Sequence, residues 1–174
     1  MQTSYIFAYG SLIWNPCFNY LLKSPAILRD YERQLCMYSW RARGTKDNPG
    51  LVLGLVNKEG SYCEGVVYKI CDSNCDEIFT SLCLRENSPS ECYNVVNLDV
   101  ELINEGNVVS TLCFVSKNDH EQYAKYLTDD EKIKIIMQAK GECGTTKEYL
   151  ENTVISLKKE GLKDDTLFEL NDLL

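Results

Sequence analysis

Two capping boxes, Thr128-Asp129-Asp130-Glu131 and Thr145-Thr146-Lys147-Glu148, fall in the last third of the chain, whereas the extended apolar runs all come before it. In such a box a Thr hydroxyl and a Glu carboxylate satisfy each other's backbone amides at a helix start. The first box predicts a helix ending at Gly141. The second predicts a helix with Tyr149, Leu150, Thr153, Val154 and Leu157 on one side, ending at Gly161, and a short helix follows from about Lys163. Earlier, strands are predicted over Tyr5–Ala8, Pro25–Tyr31, Leu35–Arg43, Leu51–Val56, Tyr62–Ile70, Tyr93–Ile103 and Val108–Val115. Breaks are expected near Glu32-Arg33 and at Lys58-Glu59-Gly60. One early helix is expected from Asp72-Ser73-Asn74 to about Leu82. Strands first and helices last argue for an α+β domain. Interior glycines such as Gly54 suggest bends and close backbone approach, which favours a small closed or nearly closed β-barrel flanked by helices, with a helical C-terminal third.

No repeat, low-complexity tract or linker divides the 174 residues, so one domain over 1–174 is expected. Eighteen basic against 26 acidic residues leave a net charge of −8, which disfavours nucleic acid and anionic membranes as partners. No apolar stretch approaches a membrane span and no secretory signal is evident, so a reducing, cytoplasmic setting is expected. The nine cysteines are irregularly spaced and read mostly as small buried apolar residues. Cys71, Cys75, Cys83 and Cys92 do not form a paired metal-ligand pattern. Four of the five arginines, Arg29, Arg33, Arg41 and Arg43, lie close together in sequence, with Arg85 apart. Such a group is either surface solvation of a hairpin or a seat for a small carboxylate.

Two places invite chemistry. Phe7-Ala8-Tyr9-Gly10-Ser11-Leu12 is a short strand running into a small-residue turn. It is either an ordinary turn with Gly10 at positive φ, or a set of exposed amides suited to an anion or a developing oxyanion. Glu86 follows apolar Leu82-Cys83-Leu84 and precedes Asn87-Ser88-Pro89. It is either half of a solvated pair with Arg85 at a helix end, or a carboxylate whose pKa is raised by apolar surroundings and which can take and return a proton. The single histidine, His120, lies in a polar loop, which argues against a histidine-based triad. No phosphate-binding, zinc-protease or dinucleotide fingerprint is present.

Taken in order, Phe7–Pro16, Arg43-Gly44-Thr45 with Pro49–Leu55, Cys63-x-Gly65-Val66-Val67-Tyr68, Leu84-Arg85-Glu86 followed by Tyr93, and Gly141–Leu150 resemble the motif blocks of the ChaC-like γ-glutamylcyclotransferases. The match spans roughly residues 5–165. The resemblance implies a γ-glutamylcyclotransferase-like barrel. It implies cytosolic cleavage of glutathione to 5-oxoproline and Cys-Gly without metal or cofactor, with a glutamyl-binding loop at Tyr9, Gly10, Ser11 and Leu12 and a catalytic glutamate at Glu86. Tyr93 is expected to border the substrate, and Arg43, or another of the clustered arginines, to meet the glycyl carboxylate. Two departures stand out: Ala8 replaces a frequent glycine, and no glycine precedes Tyr93. Other γ-glutamyl amino acids or amines are alternative substrates. A non-catalytic protein-binding module on the same fold is the alternative outside enzymology.

Overall fold

A computed structural model describes residues 4–174. In chain order it contains β1 (Tyr5–Ala8), a 3-10 turn (Ser11–Ile13), β2 (Leu22–Ser39), β3 (Gly50–Lys69), a second 3-10 turn (Asp72–Asn74) and α1 (Cys75–Asn87). There follow β4 (Tyr93–Leu102), β5 (Val108–Ser116), α2 (Asp129–Gln138), β6 (Lys140–Gly141), β7 (Gly144–Thr145), α3 (Thr146–Lys159) and α4 (Asp165–Asp172). Strands β1, β3, β2, β4 and β5 close into a barrel in that order. β5 meets β1 in parallel at Leu112 and Ile6, and the other neighbouring pairs are antiparallel. The α+β barrel with helices in its last third is thus as the sequence predicts.

Four predicted strands are in fact two. β2 and β3 each run unbroken where turns were expected, and they pair from Leu22↔Lys69 to Ser39↔Gly50. Register shifts between Arg29 and Tyr31 and between Leu35 and Met37 bend the ribbon without ending it, as bulges do. At the first bend Asp30 adopts φ 62°, and its carboxylate accepts from the Gly60 amide at 2.8 Å. The charged residues that suggested turns are cross-strand partners: Lys58 Nζ lies 2.7 Å from Glu32 Oε2. β2 also stops at Ser39, short of the predicted Arg43.

The first helix begins without a side-chain cap and extends to Asn87, five residues past the predicted Leu82. Its last turn closes where the Ser88 amide donates to the Leu84 carbonyl. Glu86 therefore stands inside that turn, not at a junction beyond it. Both capping boxes form as predicted, at Thr128 with Glu131 and at Thr145 with Glu148. α2 ends at Gln138, before the predicted Gly141, because Lys140 and Gly141 pair with Thr145 and Gly144 in a two-stranded ribbon.

The barrel is filled by side chains such as Ile6, Leu51, Leu55 and Val100, all fully buried. Each contributes about 1.5–3 kcal/mol through burial. Gly54 sits where a Cβ would collide with Ser116 Oγ and lie 2.9 Å from Cys36 Sγ, so side chains crowd it and not the backbone its sequence setting suggested. The predicted face of α3, including Tyr149, Leu150, Val154 and Leu157, is buried. That helix packs against β3, the first 3-10 turn, α2 and α4.

Candidate active site

β1 leaves the barrel at Ala8 and enters the 3-10 turn, which borders a cleft of about 840 Å³. In the turn the Ile13 amide donates to Gly10 O at 2.9 Å, and the Asn15 amide to Ser11 O at 2.8 Å. The amides of Gly10, Ser11 and Leu12 precede the first of these bonds, so the turn leaves three N–H groups for an outside acceptor. The side chains beside them are committed elsewhere. Tyr9 Oη donates to Phe114 O at 2.7 Å, Ser11 Oγ accepts from Arg85 at 3.0 Å, and Leu12 is buried. Gly10 has φ −135°, not the positive value of an ordinary glycine turn. Glycine suits the position because a Cβ would stand a tight 3.1 Å from Tyr149 Oη, which would have to give by a few tenths of an ångström.

All seven residues expected at the site, Tyr9, Gly10, Ser11, Leu12, Arg43, Glu86 and Tyr93, border this one cleft. Glu86 reaches it from the last turn of α1, with its side chain 23% exposed. Burial raises its pKa above the usual carboxylate range, and Arg85, with Nε 3.2 Å from Glu86 Oε1, pulls it partly back. Three tyrosines from distant elements share the space. Burial pushes the hydroxyls of Tyr9, Tyr93 and Tyr149 above their ordinary range, and the Glu86 charge adds to each shift. The Cys92 thiol is pushed up to about 11, again chiefly by burial. Burial thus favours the neutral forms of these tyrosines and of Cys92 near pH 7, and Glu86 is the one carboxylic acid among these groups.

The Leu53 backbone is held by two of those tyrosines. Its amide donates to Tyr149 Oη at 3.1 Å, and its carbonyl accepts from Tyr93 Oη at 3.1 Å. The Tyr93 ring therefore lines the cleft while its hydroxyl is engaged with the barrel. Arg43 is buried, with its guanidinium 5.8 Å from the Trp14 ring centre and 5.6 Å from that of Tyr149. It also donates to Thr145 O at 3.4 Å, and no carboxylate is among its hydrogen-bond or ion-pair partners in the described residues.

The arginines close in sequence do not act as one group. Arg29 pairs with Glu101 on the surface, Arg33 is buried against Asp164, and only Arg41 and Arg43 of the four border the cleft. Sequence reasoning passed over Tyr149, read as part of a helix's apolar face, and Arg85, read only as Glu86's neighbour. Its block Leu84-Arg85-Glu86 was the available signal. His120 does not border the cleft; its Nδ1 accepts from the Gln122 amide. Among the described residues no three His, Cys, Asp or Glu side chains gather as a metal site would require, and no helix is long and apolar enough to cross a membrane. The nine cysteines are free; five are buried, while Cys17, Cys71 and Cys143 are exposed.

The family model for ChaC-like proteins matches residues 4–174. The chain belongs to the ChaC-like family. Within it, the chain is 32% identical over 170 residues to the glutathione-specific γ-glutamylcyclotransferase of Escherichia coli K12, covering 98% of this chain and 71% of that relative. It is 28% identical over 170 residues to γ-glutamylcyclotransferase 2-3 of Arabidopsis thaliana, covering 95% and 85% respectively. A crystal structure of a yeast γ-glutamylcyclotransferase specific to glutathione superposes with a TM-score of 0.89 at 23% identity, over 99% of this chain and 95% of that one. The ChaC-like fold implied by the sequence motifs is thereby established for the barrel and its helices.

Proposed function

We propose that this chain is a glutathione-specific γ-glutamylcyclotransferase, with Glu86 as the general base and acid. The observation that carries the reading is the meeting, in one cleft, of a half-buried carboxylate of raised pKa and three unengaged turn amides. The named activities of the ChaC-like relatives support the choice of substrate.

In this reaction the substrate supplies its own nucleophile. The α-amine of the glutamyl group attacks the γ-carbonyl carbon, a C–N bond forms, and a five-membered ring closes. Glu86 accepts a proton from the amine and delivers it to the cysteinyl nitrogen as the original amide bond breaks. The products are 5-oxoproline and Cys-Gly. Orientation of amine and carbonyl for intramolecular attack is worth about 7–11 kcal/mol of the barrier, and the proton transfer about 10²–10⁴-fold. The amides of Gly10, Ser11 and Leu12 hold a glutamyl oxygen, whether of the α-carboxylate or of the reacting carbonyl. Tyr9 and Tyr93 wall the site, and Arg43 offers a buried cation for the glycyl carboxylate. None of these steps requires a metal or cofactor. We place the reaction in one domain over 1–174 and in the cytoplasm, where exposed thiols such as Cys17 and Cys143 stay reduced.

The test is release of 5-oxoproline from glutathione, γ-glutamyl-alanine and γ-glutamyl-lysine by wild type and Glu86→Gln. Turnover of glutathione well above the others, lost in the variant with binding retained by calorimetry, is expected. Turnover of the other compounds instead reassigns the substrate. Wild-type turnover in the variant removes Glu86 from the mechanism, and inactivity on all three with an intact fold favours a binding module.

A further inference from the structure

We propose that Arg85 is a positioning residue that ties Glu86 to the glutamyl-binding turn, so that base and amide cradle hold one fixed geometry. Consecutive residues on a helix do not face each other, so an Arg-Glu pair at adjacent positions is not a product of helix geometry. Here it depends on a segment seventy residues away. Arg85 Nη1 donates to Asn15 O at 2.8 Å and Nη2 donates to Ser11 Oγ at 3.0 Å, which leaves Nε 3.2 Å from Glu86 Oε1. The two anchoring oxygens lie at the start and just beyond the end of the 3-10 turn that borders the cleft. A planar guanidinium with donors in a rigid fork can hold all three at once; an ammonium supplies the charge without the fork.

The surroundings leave this task to Arg85. Glu86 stands at the C-terminal end of α1, where the helix dipole disfavours a carboxylate. The other titratable groups facing it are Tyr9 from the end of β1, Cys92 from the loop before β4, Tyr93 from β4 and Tyr149 from α3. Burial favours the neutral form of each near pH 7. Among the described residues Arg85 is the one cation that acts to lower the Glu86 pKa. The same residue thus sets where the carboxylate sits and how much of it is ionised.

This role rests on Glu86 being the proton carrier. The experiment is steady-state 5-oxoproline release from glutathione against pH, with urea denaturation alongside, for wild type, Arg85→Gln, Arg85→Lys, Ser11→Ala and Glu86→Gln. In Arg85→Gln the acid limb of kcat/KM moves up by about one pH unit, the rate deficit narrows as pH rises, and KM increases about tenfold. Arg85→Lys returns the acid limb close to wild type while KM stays raised. Ser11→Ala raises KM with the acid limb in place. The proposal is overturned if the acid limb of Arg85→Gln does not move, or if kcat and KM of all three variants match wild type. Should Arg85→Gln fail to fold, Arg85→Lys and Ser11→Ala decide: an unchanged KM in both overturns it. Turnover by Glu86→Gln removes the proton carrier itself. Loss of turnover there, with wild-type behaviour in the Arg85 and Ser11 variants, removes only the positioning role.

Discussion

The guanidinium of Arg33 donates from Nε to the carbonyl oxygen of Tyr9 at 2.6 Å. The same group donates to Glu64 O and pairs with Asp164 at 2.6 Å, with the Arg33 side chain only 1% exposed. One buried cation thus joins β2, β3, the start of the Tyr9–Leu12 turn and the cap of α4, where Asp164 accepts from the Leu167 amide. Truncation strands two backbone carbonyls and a nearly buried carboxylate. Arg33→Met is expected to lower stability by about 3–5 kcal/mol in urea denaturation. Replacing Asp164 by Leu in the same chain should recover part of the loss. A cost below 1 kcal/mol (roughly that of a surface pair) would contradict this account.

Glu86 carries a stability signature independent of turnover. Burial, partly offset by Arg85, raises its native pKa above that of the unfolded chain. The native state therefore binds the proton more tightly. The contribution to stability is greatest below the unfolded carboxylate pKa of about 4.3 and is lost as pH rises through the native pKa. Glu86→Gln removes that loss. Its melting temperature should match wild type near pH 4 and exceed it at pH 7. A lower value at pH 7 would show that the carboxylate is stabilising.

Tyr93 separates a structural hydroxyl from a substrate-binding one. Its bond to Leu53 O is buried, so Tyr93→Phe leaves a carbonyl without that donor. The expected cost is about 1–2 kcal/mol of stability, with KM for glutathione within about twofold of wild type. A tenfold rise in KM with unchanged stability would give the hydroxyl to the substrate.

Gly10→Ala places a methyl 3.1 Å from Tyr149 Oη, a hydroxyl that also accepts from the Leu53 amide. The ring must shift or the turn must open. KM for glutathione should rise while the fold persists, as judged by circular dichroism. Adding Tyr149→Phe removes the crowded oxygen and should give a non-additive recovery in a double-mutant cycle.

Arg43 is tested by substrate choice. If its guanidinium receives the glycyl carboxylate, Arg43→Gln raises KM for glutathione about tenfold. A γ-glutamyl amine lacking that carboxylate should be processed equally by both proteins. Equal impairment on both compounds would move Arg43 to the glutamyl end of the cleft, beside Trp14 and Tyr149.

The helix starts were legible because capping boxes are closed by residues three positions apart. The bends in β2 and β3 were not, because nothing local distinguishes a polar turn from a bulge whose charges pair across strands, as Glu32 and Lys58 do. Arg33 looked like part of a turn for the same reason. Its burial is offset by carbonyls from Tyr9 and Glu64 and by a carboxylate from Asp164, all distant in sequence. Glu86 and the Tyr-Gly-Ser-Leu turn were each ambiguous alone and acquired meaning only as ordered motifs.

Order and type of most elements and the family motifs follow from the chain's own pattern, since propensity, capping and alternation act over a few residues. Which arginine is buried, which pairs with Glu86 and which faces the cleft follows from barrel closure and the docking of α1 and α3. Desolvation and charge pairing are set by whatever packs within a few ångströms, and here those neighbours come from distant segments, 131 residues apart for Arg33 and Asp164.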